Sequence, residues 1–256
     1  MKKAILIKKI RSKVYVSKIQ LKSLFRKNKN ANFLDIDKIN KTLESKKSIC
    51  VVCSGPSANK LLPNKDHFYL VTNDSYKLVK NYDFLYYVGD GYFFRRFLAN
   101  APYCRNHKHN IFFFRKEDQL HAESFEYFKK HSNLLSNNSF LLSNFENNFK
   151  HSNANYKKFI DFLEHKNIPV KFQNSGVFLL MFGFYLAVTY KMKLEIYGLD
   201  LGMGGNVHFD NAGHVGKSIT NDRVKVNTKK QLNIIYNILN ENVSNYSFFH
   251  TKNSNQ

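Results

Sequence analysis

The chain has 256 residues, a formal net charge of +21 and only three cysteines, Cys50, Cys53 and Cys104. That length buries a full core, and an odd, small cysteine count excludes a disulfide framework and fits a reducing cytoplasm. The heavy use of lysine, asparagine and phenylalanine, with no tryptophan, is assigned to the nucleotide composition of the source genome and not to function.

The charge is unevenly placed. No acidic residue occurs from Met1 to Leu34, where eleven basic residues, from Lys2 to Lys29, interleave with Ile5, Leu6, Ile10, Val14, Ile19, Leu21, Leu24 and Phe25. No uninterrupted apolar core precedes a small-residue cleavage site, so the pattern is not that of a secretory signal. Two uses fit such a basic, partly amphipathic arm: an anionic membrane face, or a polyanion such as nucleic acid. The remainder shows no helix-turn-helix, zinc-finger or RNA-recognition pattern, which directs the expectation away from nucleic acid. Residues 1–47 are read as this arm and a lead-in helix, and residues 251–256 as a tail.

Past the arm, Ser48-Ile49-Cys50-Val51-Val52 is an apolar, β-branched run cut off by Cys53-Ser54-Gly55-Pro56-Ser57. It predicts a buried strand that turns sharply into a helix. Such turns sit at the carboxyl ends of parallel strands, where glycine allows a ligand close to the backbone and helix N–H groups face anions. The Cys50-x-x-Cys53 spacing lies within this strand and has no second cysteine pair, so no metal site is expected there. Strands are predicted at 48–53, 67–72, 83–88, 110–114, 193–197 and 246–250, with helices between them. That alternation predicts an α/β fold with a mostly parallel sheet covered on both faces. From about 121 to 166 the rhythm is lost, and the segment is read as a helical lid or insertion. Residues 175–190 form an almost continuous apolar segment, too short to cross a bilayer and read as a central buried helix capped by Asn174 or Ser175. The strand at 193–197 then runs into Gly198 and the Gly202-Met203-Gly204-Gly205 loop, a second candidate ligand edge.

The ordered set Cys53-Ser54-Gly55-Pro56-Ser57, Asn73, Asn174-Ser175-Gly176-Val177, Tyr197-Gly198-Leu199-Asp200 and Gly213-His214 resembles the bacterial lipooligosaccharide sialyltransferases of glycosyltransferase family 42, the Campylobacter and Haemophilus type. The resemblance spans about residues 48–239. It implies a GT-A-like Rossmann domain with a lid, CMP-sialic acid as donor, no cofactor or metal, inversion at the anomeric carbon, and a galactose or sialic acid acceptor on a surface glycan. It also implies membrane association at the inner face of the bacterial inner membrane and homo-oligomers. By position, His214 matches the family's general base, and an imidazole suits removal of a proton from an acceptor hydroxyl. Ser54 stands where the family has an asparagine on the nucleotide, Asn73 matches a donor-site asparagine, and Ser175 matches a serine near the donor's carboxylate or phosphate. With Gly55, Pro56, Ser57, Asn174 and Gly176 these make the expected donor site, and the transferase domain is read as residues 48–250.

The sequence also departs from the family. Two tyrosines that steady the leaving phosphate are replaced by Gly202 and, at or beside the second position, His208, which retains a hydrogen-bond donor and is taken as the second catalytic residue. An expected arginine is Phe172 beside Lys171, and an expected asparagine is Gly89 or Asp90. These changes leave open another CMP-activated acidic sugar such as Kdo, or a non-catalytic or pyrophosphate-transferring Rossmann accessory protein. Gly216-Lys217-Ser218 lacks the earlier glycine of a P-loop, Asn211 occupying that place, and Asp35-Ile36-Asp37 precedes the first of these strands, away from any strand's carboxyl end. His107-Lys108-His109 has no carboxylate or cysteine at ligand spacing.

The arm generates a direct expectation. The full chain should co-sediment with anionic vesicles, binding should weaken as salt shortens the Debye length to about 3 Å near 1 M, and a chain lacking residues 1–30 should lose it. Equal sedimentation of both forms would show that the arm is not an anchor.

Overall fold

The computed structural model describes residues 32–33, 36–87, 93, 111–113, 140–141, 154–170, 174–200 and 246–248, with helical positions at 226, 229–230, 232–234 and 236–238. The chain divides into two compact units, residues 1–35 with 88–153, and residues 36–87 with 154–256. In the first unit, β1 (Asn32–Phe33) pairs in parallel with a two-residue strand at Phe140–Leu141. The other described strand of that unit is Ile111–Phe113.

The second unit is α/β. It begins with α1 (Ile36–Glu44) and continues through β2 (Ser48–Val52), β3 (His67–Thr72) and β4 (Phe84–Tyr87). With the first unit's strands at 111–113 and 140–141 counted as β5 and β6, it then adds α2 (Ala154–His165), α3 (Ser175–Tyr190), β7 (Lys193–Tyr197) and β8 (Tyr246–Phe248). Every strand pairing in this unit is parallel, and the order across the sheet is β4-β3-β2-β7-β8. β2 is therefore central, and all five of its residues are buried, as a strand covered on both faces requires. Six predicted strands form, each within two residues of its expected bounds.

The connections differ from expectation. After β2 the chain makes only a 3₁₀ segment, Pro56–Lys60, and after β3 another, Ser75–Leu78, where α-helices were predicted. Gly-Pro at the first turn and Pro63 shortly after leave too few consecutive helix formers to propagate an α-helix. α1, grouped by sequence with the arm, belongs to the sheet unit, where Ile39 and Leu43 are buried and Asn40 accepts a hydrogen bond from the Tyr190 hydroxyl.

α3 is the central buried helix. Gly176 through Ala187 are all buried, so the helix is apolar around its whole circumference and has no solvent face to spare. One side lies on the sheet: a Cβ added at Gly183 would come to 3.2 Å from Leu70 Cδ1 and also strike Val51 Cγ2. Elsewhere it meets α2 through aromatic pairs, Phe159 with Phe178 and Phe182, and Phe162 with Phe184 and Tyr185, at centroid separations of 5.3–5.8 Å. α2 thus lies in the core of the sheet unit, although its residues fall at the end of the range read as a lid. Phe178, Leu179, Leu180, Phe182 and Leu186, each at most 1% exposed, together contribute on the order of 10 kcal/mol of gross burial. Lys191, in the left-handed conformation with φ 53°, ends the helix and turns the chain into β7. Among the described residues no helix is long and apolar enough to cross a membrane.

Because the helix touches the sheet at Gly183 without a side chain, overpacking there should be felt directly. Gly183→Val should lower unfolding free energy by about 1–3 kcal/mol in urea denaturation, despite removing a helix-weakening glycine. An unchanged midpoint would mean that α3 does not ride this close to Val51 and Leu70.

Candidate functional site at the carboxyl edge of the sheet

Numbered within the second unit, the strand order is 3-2-1-4-5, so the direction of winding reverses between β2 and β7. In open parallel sheets ligands bind outside the carboxyl ends at that reversal. The loops leaving β2 and β7 meet there, and each has a residue that makes the meeting possible.

The ladder continues past both strands, with Cys53 N–H donating to the Tyr197 carbonyl and Gly55 N–H to the Gly198 carbonyl, both at 2.8 Å. Gly198 has φ 72°, and a Cβ there would collide with the Cys53 carbonyl, so glycine is required. Its N–H donates to Ser57 Oγ at 2.8 Å. The Asp200 carboxylate, 1% exposed, accepts the Ser57 N–H at 2.7 Å, and Gly55 lacks the Cβ that would otherwise run into it. Burial, then the nearby Asp200 carboxylate, pushes the Cys53 thiol up. The Tyr236 hydroxyl is pushed up in the same way, first by burial and then by Cys53 and Asp200.

The expected donor-site residues divide into braces and open groups. Ser57 is fully buried, with its N–H and hydroxyl spent on Asp200 and Gly198, and Ala58 N–H is spent on the Gly55 carbonyl. The 3₁₀ turn therefore holds the two loops together, and its Ser57 and Ala58 donors do not face a ligand. This revises the expectation that a helix start at Ser57 grips the nucleotide. Asn174 is the cap of α3: its Oδ1 accepts from Gly176 N–H at 2.7 Å and Val177 N–H at 3.3 Å. Ser175 opens the helix beside it and is partly exposed.

Ser54 is different. It is 7% exposed, yet its hydroxyl has no hydrogen-bond partner among the described residues. A buried hydroxyl left so costs about 1–3 kcal/mol, so it calls for a partner such as a water, an ion or a ligand. Asn73, leaving β3, has φ 54°, a left-handed conformation that asparagine tolerates. The next turn is pinned by Ser75, whose hydroxyl donates to the Val52 carbonyl at 2.6 Å and accepts from Thr72 N–H at 3.1 Å. The turn also holds the buried Asp74, paired with Lys77 at 3.2 Å.

Ser54, Gly55, Pro56, Ser57 and Asn73 thus follow neighbouring strands at one edge, and Asn174, Ser175 and Gly176 open α3 at the same end, where Gly176 lies against Cys53 and Leu199. His208, His214, Gly202, Lys171, Phe172, Gly89 and Asp90 lie outside the described residues. Sequence reasoning quoted Asp200 and passed over Ser75. The available signal for Asp200 was a small polar residue pattern, Gly-x-Asp, directly after an apolar strand. Cys50 within β2 and Cys53 just past its end are both buried free thiols. Compared with known proteins, the chain matches no family model, no curated protein and no solved structure.

The Asp200 brace has a measurable weight. Asp200→Ala leaves the buried Ser57 N–H unpaired and should cost about 1–3 kcal/mol, whereas Asp200→Asn keeps an acceptor and should cost less. Equal stability of Asp200→Ala and the parent in urea would show that the two loops are held by other means.

Proposed function

We propose that the protein is an inverting glycosyltransferase that moves sialic acid, or a closely related nonulosonic acid, from a CMP donor to a galactose-containing acceptor of lipooligosaccharide or capsule. The observation that carries this is the buried Ser54 hydroxyl, without a hydrogen-bond partner among the described residues, at the reversal point of a parallel sheet, with Asn73 leaving the neighbouring strand at the same end. It is consistent with the motif order by which the sequence resembles family 42. The GT-A-like character of the domain, a lid and peripheral attachment through the basic arm belong to the same proposal.

In this mechanism Ser54 and Asn73 hold the nucleotide, and the first turn of α3 at Ser175 faces the donor's carboxylate. Gly55, Pro56 and Ser57 shape the floor, and Asn174 and Gly176 set the helix end. His214 takes the proton from the acceptor hydroxyl as its oxygen attacks the anomeric carbon. The bond from that carbon to the CMP phosphate oxygen breaks on the opposite side, and the electron pair leaves on the phosphate, where His208 donates a hydrogen bond. CMP leaves readily, so no strong general acid is needed, and no step is routed through a metal.

The test is CMP release from CMP-sialic acid and, separately, CMP-Kdo, with and without a lactose-type acceptor. Acceptor-dependent release from CMP-sialic acid is expected; release from CMP-Kdo alone would reassign the sugar, and release from neither would overturn transfer. His214→Ala should lower turnover by about two to four orders of magnitude with donor binding nearly intact. Ser54→Ala should weaken CMP binding by about three- to tenfold while leaving stability equal or higher, since it removes an unsatisfied buried hydroxyl. Unchanged CMP affinity would remove Ser54 from the site.

A further inference from the structure

The two faces of the sheet are chemically unequal. On the face that meets Gly183, β2, β3 and β7 present Val51, Leu70 and Leu194. By strand alternation, the opposite face carries Ser48 and Cys50 from β2, His67 and Tyr69 from β3, and Glu195 and Tyr197 from β7, alongside Val52, Val71 and Lys193. Of the first six, His67 is partly exposed and the other five are buried. A carboxylate, a thiol and an imidazole on a covered sheet face are costly to retain unless something pairs them.

Cys50 Sγ, a His67 ring nitrogen and a Glu195 carboxylate oxygen all lie within 4.8 Å of one another. They come from three neighbouring strands: Glu195 is the register partner of Cys50 across β2 and β7, and His67 is the partner of Ser48 across β2 and β3. His67 Nε2 is 3.6 Å from Glu195 Oε1. Metal bonds of about 2.0–2.2 Å at tetrahedral angles set donor atoms about 3.4 Å apart, so this edge is close to its bound length. The imidazole is also oriented. The Tyr69 hydroxyl donates to the Asn64 carbonyl at 3.0 Å and lies 3.2 Å from His67 Nδ1, whose N–H it can accept. That leaves Nε2 as the bare nitrogen, with Asn64 Nδ2 at 3.2 Å as its present neighbour at the open corner of the site. Outer partners of this kind are what fix the ring of a metal-bound histidine. The second carboxylate oxygen of Glu195 accepts from the Tyr197 hydroxyl at 3.2 Å. Ser48, 3% exposed and next to Cys50 on this face, has a hydroxyl with no partner among the described residues.

We propose that Cys50, His67 and Glu195 form a zinc site that ties β2, β3 and β7 together. A thiolate and a carboxylate balance the two charges of the ion, so the buried assembly is neutral. Sulfur, nitrogen and oxygen donors together suit a borderline-soft ion and not magnesium or calcium, which take oxygen. The Cys50 proton passes to solvent when the Zn–S bond forms. Lys193 Nζ, 3.2 Å from Glu195 Oε1 and half-exposed, swings out to water as the ion takes its place. The fourth position takes water, entering at the Asn64 to His67 corner, with the Ser48 hydroxyl as its partner. The site is independent of the transferase proposal, because its residues lie away from the loops that leave the strands' carboxyl ends.

The test uses the full chain, freed of metal by a chelator, and cobalt(II) chloride alone as the probe. One cobalt per chain should bind with a thiolate-to-cobalt charge-transfer band and the intense visible bands of a tetrahedral site, and zinc should displace it. Zinc should also raise Tm in a concentration-dependent way, since it binds the folded chain alone. Cys53→Ala should keep the band, Cys50→Ala should lose it and weaken binding about a hundredfold or more, and Glu195→Gln should weaken binding while retaining the band. Circular dichroism on each variant separates ligand loss from misfolding, and Glu195→Gln, which conserves side-chain shape, carries the test if Cys50→Ala does not fold. No thiolate band in the parent chain, or a band that survives in folded Cys50→Ala, would overturn the site.

Discussion

The contact on which the carboxyl edge depends is the buried Asp200 carboxylate held by the Ser57 N–H. It closes a circuit in which Gly198 donates to Ser57 and Gly55 donates back to Gly198. Without that circuit the loops after β2 and β7 would be free to separate at the point where the sheet reverses. With it, the ends of two central strands form one rigid floor. The Ser54 hydroxyl is set within that floor with no hydrogen-bond partner among the described residues, so at the candidate site the surroundings are organised by folding itself. Preorganised donors are worth more than mobile ones because their ordering cost is met during folding.

Folding pays for this arrangement through α3. A helix buried on all sides can pack only between layers, and Gly183 lets it settle directly on β2 and β3. Its direction follows from the parallel sheet: it runs antiparallel to the strands, so its capped N-terminus lies at their carboxyl ends. The same helix that supplies much of the core therefore positions Asn174 and Ser175 at the candidate site. Asn174 satisfies the first free donors of the helix, and the side of the turn bearing Ser175 stays available.

The sheet's other face solves a different problem. The side on α3 has Val51, Leu70 and Leu194 at its centre, whereas the opposite side gathers Cys50, His67 and Glu195 at one end, with the tyrosine hydroxyls of β3 and β7 beside them and Val52 and Val71 further along. Placing such groups on three adjacent strands makes the register of β2 chemically specific: a shift by one residue would put Cys50 under α3 and Val51 among the polar groups. The candidate site at the strand ends and the proposed zinc site within the sheet thus draw on the same register.

Local pattern was enough for the strands, because a buried parallel strand is a short β-branched run bounded by turn residues, and the runs at 48–52, 67–72 and 193–197 need no partner to be recognised. It was also enough for α3, whose unbroken apolar stretch admits only burial, whereas the cap was narrowed to Asn174 or Ser175 and only the structure picks out Asn174. The basic arm and its freedom from acidic residues are likewise properties of sequence alone. The tertiary structure decided what each polar residue does. Ser54 and Ser57 are nearly adjacent and equally plausible as ligand donors on paper, yet the Ser54 hydroxyl has no partner among the described residues and Ser57 is spent as a brace, because Asp200 reaches Ser57 from far along the chain. Cys50, His67 and Glu195 carry no readable spacing, since strand pairing sets their distances and chain separation does not. Backbone preference is local and legible, whereas the state of a buried polar group depends on which distant atom meets it.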